Sequence, residues 1–172
     1  MSTTIILMGV SGVGKSSVAA ELHRSLGWPF AEGDDFHPES NVAKMRTGIA
    51  LDDDDRWPWL AAIAAWVGAQ ESLGRNGIVT CSALRAAYRD ALRQGHPSVW
   101  FVHLTAPRDA VARRLEHRTG HFMPPSLMGS QLDELEPLRP GEPGVTVAAT
   151  GSAEATAAAI EVLLRGREGL RE

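Results

Sequence analysis

Cysteine is almost absent. Cys81 stands alone in 172 residues, so no intrachain disulfide can form and a reducing compartment is expected. Long apolar runs are missing too. Residues 5–8 are far too few to span a bilayer, and no basic leader precedes them, so the chain reads as cytoplasmic with no membrane partner. Positive charge is not in excess. A net charge of −4 argues against a nucleic-acid partner, because phosphate backbones select basic faces. That exclusion does not reach a small anion, which needs only two or three local cations. No internal repeat or low-complexity tract occurs, and His23, His96, His103 and His117 show no metal-ligand spacing.

What is present fits a single domain over residues 1–172. Short apolar runs at 4–8, 28–31, 78–81, 99–104 and 145–148 alternate with helical patterns at 15–26, 55–73, 85–94, 107–117 and 153–165. Leu60, Ile63, Ala64 and Val67 form one apolar stripe at helical spacing. Ile78 and Val79 lack polar alternation, as strands covered on both faces do. Strands separated by helices imply right-handed crossovers and a parallel sheet. The expected fold class is therefore α/β: a three-layer α/β/α domain around a five-stranded parallel sheet. Two excursions interrupt it, 33–51 with a short helix at 39–46, and 118–143 with a short helix at 125–135. Each reads as a solvated connector or as a binding loop or lid.

Gly9-Val10-Ser11-Gly12-Val13-Gly14-Lys15-Ser16 matches the phosphate-binding P-loop pattern G-x-x-x-x-G-K-[ST] at every specified position. Its context is right, since a strand precedes it and a helix opens from it. Glycine lets the loop wrap tightly and turn its N–H groups towards phosphate oxygens, and the helix N-terminus adds unpaired donors and partial positive charge. Lys15 supplies a cation to the β- and γ-phosphates of ATP, and the Ser16 hydroxyl is placed to ligate Mg²⁺. One more absence narrows the class. Switches and motors carry an acid ending a second apolar strand, whereas residues 78–81 run into Ser82-Ala83-Leu84. A small-metabolite kinase is favoured.

Ligands of parallel sheets gather outside the carboxyl ends of the strands. Glu32-Gly33-Asp34-Asp35 falls at such an end. Asp34 is the candidate to accept the acceptor's hydroxyl proton, Glu32 to reach Mg²⁺ through water, and Asp35 to cap the next helix. Arg85 and Arg89, four apart, point to a carboxylate clamp, and Lys44 and Arg56 can add to it. A solvated role is the alternative for each of these cations. Arg114 and Arg118 are placed to neutralise charge on the transferred group, with Arg113 beside them. His121 is either a ligand contact or a loop histidine held by backbone. The run Asp52 to Asp55 reads as helix capping rather than a metal site, and Trp57 with Trp59 reads as the anchor of that helix start.

These residues fall in an order that resembles bacterial gluconate kinases of the P-loop, shikimate-kinase-like group. The shared features are Leu7-Met8-Gly9-Val10-Ser11-Gly12, Gly33-Asp34 with His37-Pro38, Asn41 with Lys44-Met45, and Gly48 before Leu51. They continue with Asp53-Asp54-Asp55-Arg56, Pro58-Trp59-Leu60, Cys81-Ser82-Ala83-Leu84, Tyr88-Arg89-Asp90, Arg118 with Gly120-His121-Phe122, and Ser130-Gln131-Leu132. The resemblance implies transfer of the ATP γ-phosphate to the 6-hydroxyl of D-gluconate with Mg²⁺, a homodimer, and a lid over 118–143. It puts Asp34 near the reacting hydroxyl and Arg56, Arg85 and Arg89 near the acid end, with His37, Lys44 and His121 as further candidates to bind the substrate. Three departures stand out: Arg85 where lysine is frequent, Ala50 where proline is common, and no acid after residues 145–148. The alternatives are a kinase for another hydroxy-acid such as shikimate, a nucleoside monophosphate kinase, and a nucleotide-binding regulatory module without turnover.

Overall fold

In the computed structural model, which describes residues 1–117 and 128–169, strand β1 (Thr4–Met8) is buried along its whole length. Its side chains alternate between two cores. Ile5 and Leu7 enter one, Ile6 and Met8 the other, as the two-residue period of a strand requires. β1 pairs with β3 (Gly77–Thr80) on one side and β4 (Val99–Thr105) on the other. β2 (Phe30–Ala31) and β5 (Gly144–Ala148) form the edges, giving the order β2-β3-β1-β4-β5 with every pair parallel. The expected five-stranded sheet is there. β2 begins later than expected because Pro29 has no N–H to give a ladder; its carbonyl accepts from Ile78 N at 2.9 Å instead.

Helices cover both faces, as parallel sheets require. On the first lie α1 (Lys15–Leu26), α5 (Arg108–Glu116) and α7 (Ala153–Gly169), contributing Leu22, Leu115 and Ile160. On the second lie α3 (Asp53–Ser72) and α4 (Ala86–Arg93), contributing Leu60, Ile63, Val67 and Leu92. Burying each such side chain stabilises the fold by roughly 1.5–3 kcal/mol. The excursion after β2 is a 3₁₀ turn (Gly33–Phe36) and α2 (Glu39–Arg46), and the later one contains α6 (Met128–Glu134).

Two local features fix the rim of the sheet. Asp52 and Asp55 make a reciprocal capping box at the start of α3: Asp55 N donates to Asp52 Oδ1 at 2.9 Å and Asp52 N to Asp55 Oδ2 at 3.0 Å. Among the described residues no group of three or more acids, histidines or cysteines is placed to hold a metal ion. Gly33 passes so close to β3 that a Cβ there would lie 1.8 Å from the Thr80 carbonyl oxygen, so only glycine fits. Trp59 Nε1 donates to the Gly33 carbonyl at 2.7 Å, tying α3 to the end of β2. Trp59 makes the bond to this junction, whereas Trp57 is 40 % exposed and packs edge-on against Tyr88. Asp35 lies inside the 3₁₀ turn and caps nothing, because Pro38 occupies the N-cap position of α2.

Candidate active site

The chain leaves β1 at the point where the sheet's winding reverses, with β3 to one side and β4 to the other, which is where α/β sheets open a crevice. The loop from Gly9 to Gly14 occupies it. Gly9 has φ 138°, and a Cβ on it would meet the Leu104 carbonyl oxygen at 2.7 Å. Gly14, in the left-handed region, is the N-cap of α1, and no side chain caps that end or brings an acid into its first turn. The donors of the helix N-terminus therefore stay available to an anion. Lys15 Nζ rests on the carbonyls of Gly9 (2.9 Å) and Val10 (3.0 Å). Ser11, Gly12, Lys15 and Ser16 line one cavity.

Asp34, Glu32, His37, Arg56 and Tyr88 line the same cavity. Thr80 Oγ1 donates to Glu32 Oε2 at 2.7 Å and accepts from Gly33 N at 3.0 Å, so the end of β3 holds the acidic turn. The Asp34 side chain is 46 % exposed, with Oδ1 3.9 Å from His37 Nε2. His37 stacks on Trp59 at 4.2 Å between ring centroids. With Asn41 Nδ2 donating to His37 Nδ1 at 3.1 Å, the ring proton of the neutral imidazole sits on Nε2, facing Asp34. Burial pushes the His37 pKa down to about 4, with Arg56 acting in the same direction and Asp34 opposing. The ring is thus neutral at pH 7.

Beyond His37 lies a charged cluster. Arg56 Nη1 donates to the Tyr88 hydroxyl at 2.6 Å, and that hydroxyl donates to Asp53 Oδ1 at 2.5 Å. Arg56 and Arg85 both sit over the Tyr88 ring, at 5.3 and 5.9 Å. Burial raises the Tyr88 pKa, helped by the bond to Asp53. Burial also pushes Cys81 up to about 12, so its thiol is inert.

Several expected residues go elsewhere. Arg89 does not line the cavity. It is fully buried, and Nε donates to Glu142 Oε2 at 2.8 Å while Nη1 and Nη2 reach the carbonyls of Ala83, Glu136 and Pro137. Arg85 is the N-cap of α4 and outside the helix, so the two arginines share no face and form no clamp. Lys44 Nζ is held by both Asp55 oxygens at 2.8 and 2.7 Å, closing the corner between α2 and α3. Arg114 binds the Val13 carbonyl at 2.6 Å and that of Ala149 at 2.8 Å, so it braces the P-loop from outside the cavity lining. Arg113 pairs with Asp109 in solvent. Arg118 and His121 lie outside the described residues. Within the expected lid, residues 136–142 are tied to the framework through Arg89 and by Arg139 to Asp90. Sequence reasoning gave no separate role to Tyr88, Thr80, Gln131 or Glu134. Gln131 is flagged only as part of the shared Ser130-Gln131-Leu132 feature, and for Glu134 the one signal is its spacing of three from Gln131 on a short helix.

A phosphate cradle that shares its cavity with a half-exposed carboxylate is the arrangement of P-loop small-molecule kinases, and fold and site place the chain in that class. Residues 5–123 match a family described as an AAA domain. The chain is 47 % identical to a gluconokinase of Gluconobacter oxydans (strain 621H), over 83 % of this chain and 80 % of that one. It is 41 % identical to the thermoresistant gluconokinase of Escherichia coli (strain K12), over 84 % and 83 %. The crystal structure of a gluconokinase from Sinorhizobium meliloti 1021 matches with a TM-score of 0.86 at 43 % identity, covering 98 % of this chain and 95 % of that one. The chain belongs to the gluconokinase family. Among the described residues no helix is long and apolar enough to cross a membrane.

Proposed function

We propose that this chain transfers the γ-phosphate of ATP to the 6-hydroxyl of D-gluconate, giving 6-phospho-D-gluconate and ADP. The observation that carries the reading is that Lys15 and Ser16 of the cradle line one cavity with Asp34 and Arg56. Nucleotide, reacting hydroxyl and acid group then meet without any large movement of the sheet. Membership of the gluconokinase family supports the choice of acceptor.

The residues divide the work. Backbone donors of the P-loop and of α1 bind the phosphates, and Lys15 exchanges its two carbonyl partners for phosphate oxygens. Asp34 accepts the proton of the 6-hydroxyl as it attacks. His37, neutral and held by Trp59 and Asn41, presents Nε2–H on the side of Asp34 and orients the acceptor. Arg56, steadied by Tyr88, receives the substrate carboxylate, with Arg85 adding charge. Arg114 positions the loop, and Arg118 and His121 are assigned to phosphate and substrate.

Mg²⁺ suits the donors present. Ser16 and the carboxylates of Glu32 and Asp34 offer oxygen to a hard cation, and Mg²⁺ is ordinarily held by one or two protein oxygens together with substrate phosphates. Ser16 is its assigned protein ligand, with Glu32 acting through water. When bound, the ion neutralises charge on the β- and γ-phosphate oxygens. We also infer a homodimer, as the resemblance implies.

The test is ADP release with Mg-ATP and, in turn, D-gluconate, shikimate, glucose, a nucleoside monophosphate and no acceptor. Release that depends on D-gluconate and yields an acid-stable ester is expected. Equal release with no acceptor would sink the acceptor assignment and leave only the nucleotide site standing.

A further inference from the structure

Helix α6 borders the active site: Ser130 and Gln131 line its cavity, and Glu134 touches the lining residue Arg56. Gln131 and Glu134 are three apart and so lie on the same side of the helix. Gln131 is buried, and its Oε1 accepts from the N–H of Ser11, in the phosphate cradle, at 2.6 Å. Glu134 lays its carboxylate against the arginine pair: Oε2 is 3.0 Å from Arg56 Nη1, and Oε1 is 3.8 Å from Arg85 Nη2. A single short helix thus brings an amide oxygen to the nucleotide side and a carboxylate to the cations assigned to the acceptor's acid group.

Glu134 holds Arg56 through one nitrogen and reaches Arg85 only at 3.8 Å. Its Oε2 is buried and has no well-aligned hydrogen bond among the described residues, although it lies 3.0 Å from Arg56 Nη1, which also donates to the Tyr88 hydroxyl. Contact through one guanidinium nitrogen lacks the second parallel bond of a bidentate arginine–carboxylate fork and is weaker than that geometry. The cluster is also balanced. Asp53 and Glu134 face Arg56 and Arg85, so an arriving carboxylate meets two negative charges for two positive ones. A third carboxylate cannot join cheaply, since like charges in contact disfavour the ionised state. The segment after α6 is pinned at the same time: Glu136 N donates to the Leu84 carbonyl at 2.7 Å, and Glu136 Oε2 accepts from Ala86 N at 2.9 Å. A helix tethered there returns to the same seat.

We propose that Glu134 is an internal competitor for the acceptor's carboxylate, occupying the acid end of the site until an acidic substrate displaces it. This rests on the assignment of a sugar acid as acceptor. The competitor makes Glu134 a specificity-determining residue, because a neutral sugar has no charge with which to take Arg56 from it. Affinity for the acid is reduced in proportion to the fraction of molecules in which Glu134 is seated.

The isosteric variant Glu134→Gln tests this. It is expected to lower KM for D-gluconate about three- to tenfold, with kcat and KM for ATP within about twofold of wild type. Glu134→Asp keeps the charge and is expected to stay near the wild-type KM. A KM for D-gluconate that is unchanged or higher in Glu134→Gln, with wild-type turnover intact, overturns the proposal and makes Glu134 a support for Arg56. Lack of any gluconate turnover in the wild type would instead remove the acceptor assignment on which it rests. A second measurement needs no variant. The Leu135 amide bonds to the Gln131 carbonyl at 3.0 Å and closes α6, so its hydrogen exchange should quicken at saturating D-gluconate. Exchange that is unchanged or slower counts against displacement.

Discussion

The two halves of the cavity are built from different materials. The nucleotide half is backbone: a loop of eight consecutive residues with left-handed glycines, opening an uncapped helix. The acceptor half is side chains, drawn from the turn after β2 and from α3, α4 and α6, each held by a neighbour of distant sequence. A backbone site tolerates variation in its side chains because the chain path does the binding. A side-chain site depends on every supporting contact. Substitutions should therefore leave nucleotide binding nearly intact while disabling the acceptor half, and the cleanest test is the one that should separate them furthest. Asp34→Asn is expected to lower kcat by about 10²- to 10⁴-fold, the range for a lost general base, while Mg-ATP binding measured by titration calorimetry stays within about threefold. A full rate would show that Asp34 takes no proton.

The next largest effect concerns the frame beneath the acceptor half. Arg89 and Glu142 have side chains only 0 % and 2 % exposed. Burial pushes the Glu142 pKa up, but the bonds from Arg89 and Arg139 outweigh it and leave the carboxyl below its ordinary value. Arg89 also fixes the turn after β3, where Ala83 adopts φ 45°, a left-handed conformation that only supporting contacts sustain in a residue with a side chain. Breaking a buried pair on one side costs about 3–5 kcal/mol. Arg89→Met is expected to lower Tm on the order of 10 °C, given about 2–4 °C per kcal/mol for a chain of this size. A melting point within 2 °C of wild type, roughly the effect of about 1 kcal/mol or less, would place Arg89 in solvent contact with substrate after all.

The same contrast explains what the sequence made legible. The P-loop is contiguous, so its spacing alone located it, and apolar runs located the strands, most sharply β1, β3 and β4, whose burial leaves little polar alternation. The place of Asp34 in the cavity follows from its position at a strand end. Arg89 was misread because a spacing of four predicts a shared helix face only if both residues are helical, and Arg85 stands one position outside. Lys44 went astray for another reason: no local pattern foretells that Asp55, eleven positions on, takes both its bonds. Gln131 and Glu134 act across the cavity on Ser11 and Arg56, and long-range pairing leaves no periodic trace.

Acid should expose the asymmetry as well. The loop from Gly9 to Ser16 contains no histidine, whereas the acceptor half contains His37, whose pKa falls from 6.5 to about 4 on burial. Between those values the unfolded chain binds a proton that the native chain refuses. Stability from this group is therefore complete above pH 6.5, declines as pH falls, and levels off near pH 4, with a slope of at most about 1.4 kcal/mol per pH unit. His37→Gln should flatten that part of the curve of Tm against pH. A wild-type curve already flat from pH 6.5 to 4.5 would mean that the ring protonates in the folded protein.

The smallest effect separates the two arginines that face Glu134. Arg56 is committed, with a 2.6 Å bond to Tyr88 and a side chain only 14 % exposed. Arg85 approaches Asp53 and Glu134 at 3.9 and 3.8 Å, beyond hydrogen-bond distance, and is 40 % exposed. A charge acting at that range through solvent needs no planar fork, so lysine should replace it at little loss. Arg85→Lys is expected to change KM for D-gluconate by no more than about threefold, in keeping with the small energies of exposed pairs. The same exchange at Arg56 would forfeit the Tyr88 geometry and should cost more. If Arg85→Lys proved the more damaging of the two, Arg85 would be the residue that grips the carboxylate, and Arg56 would serve mainly to hold Tyr88.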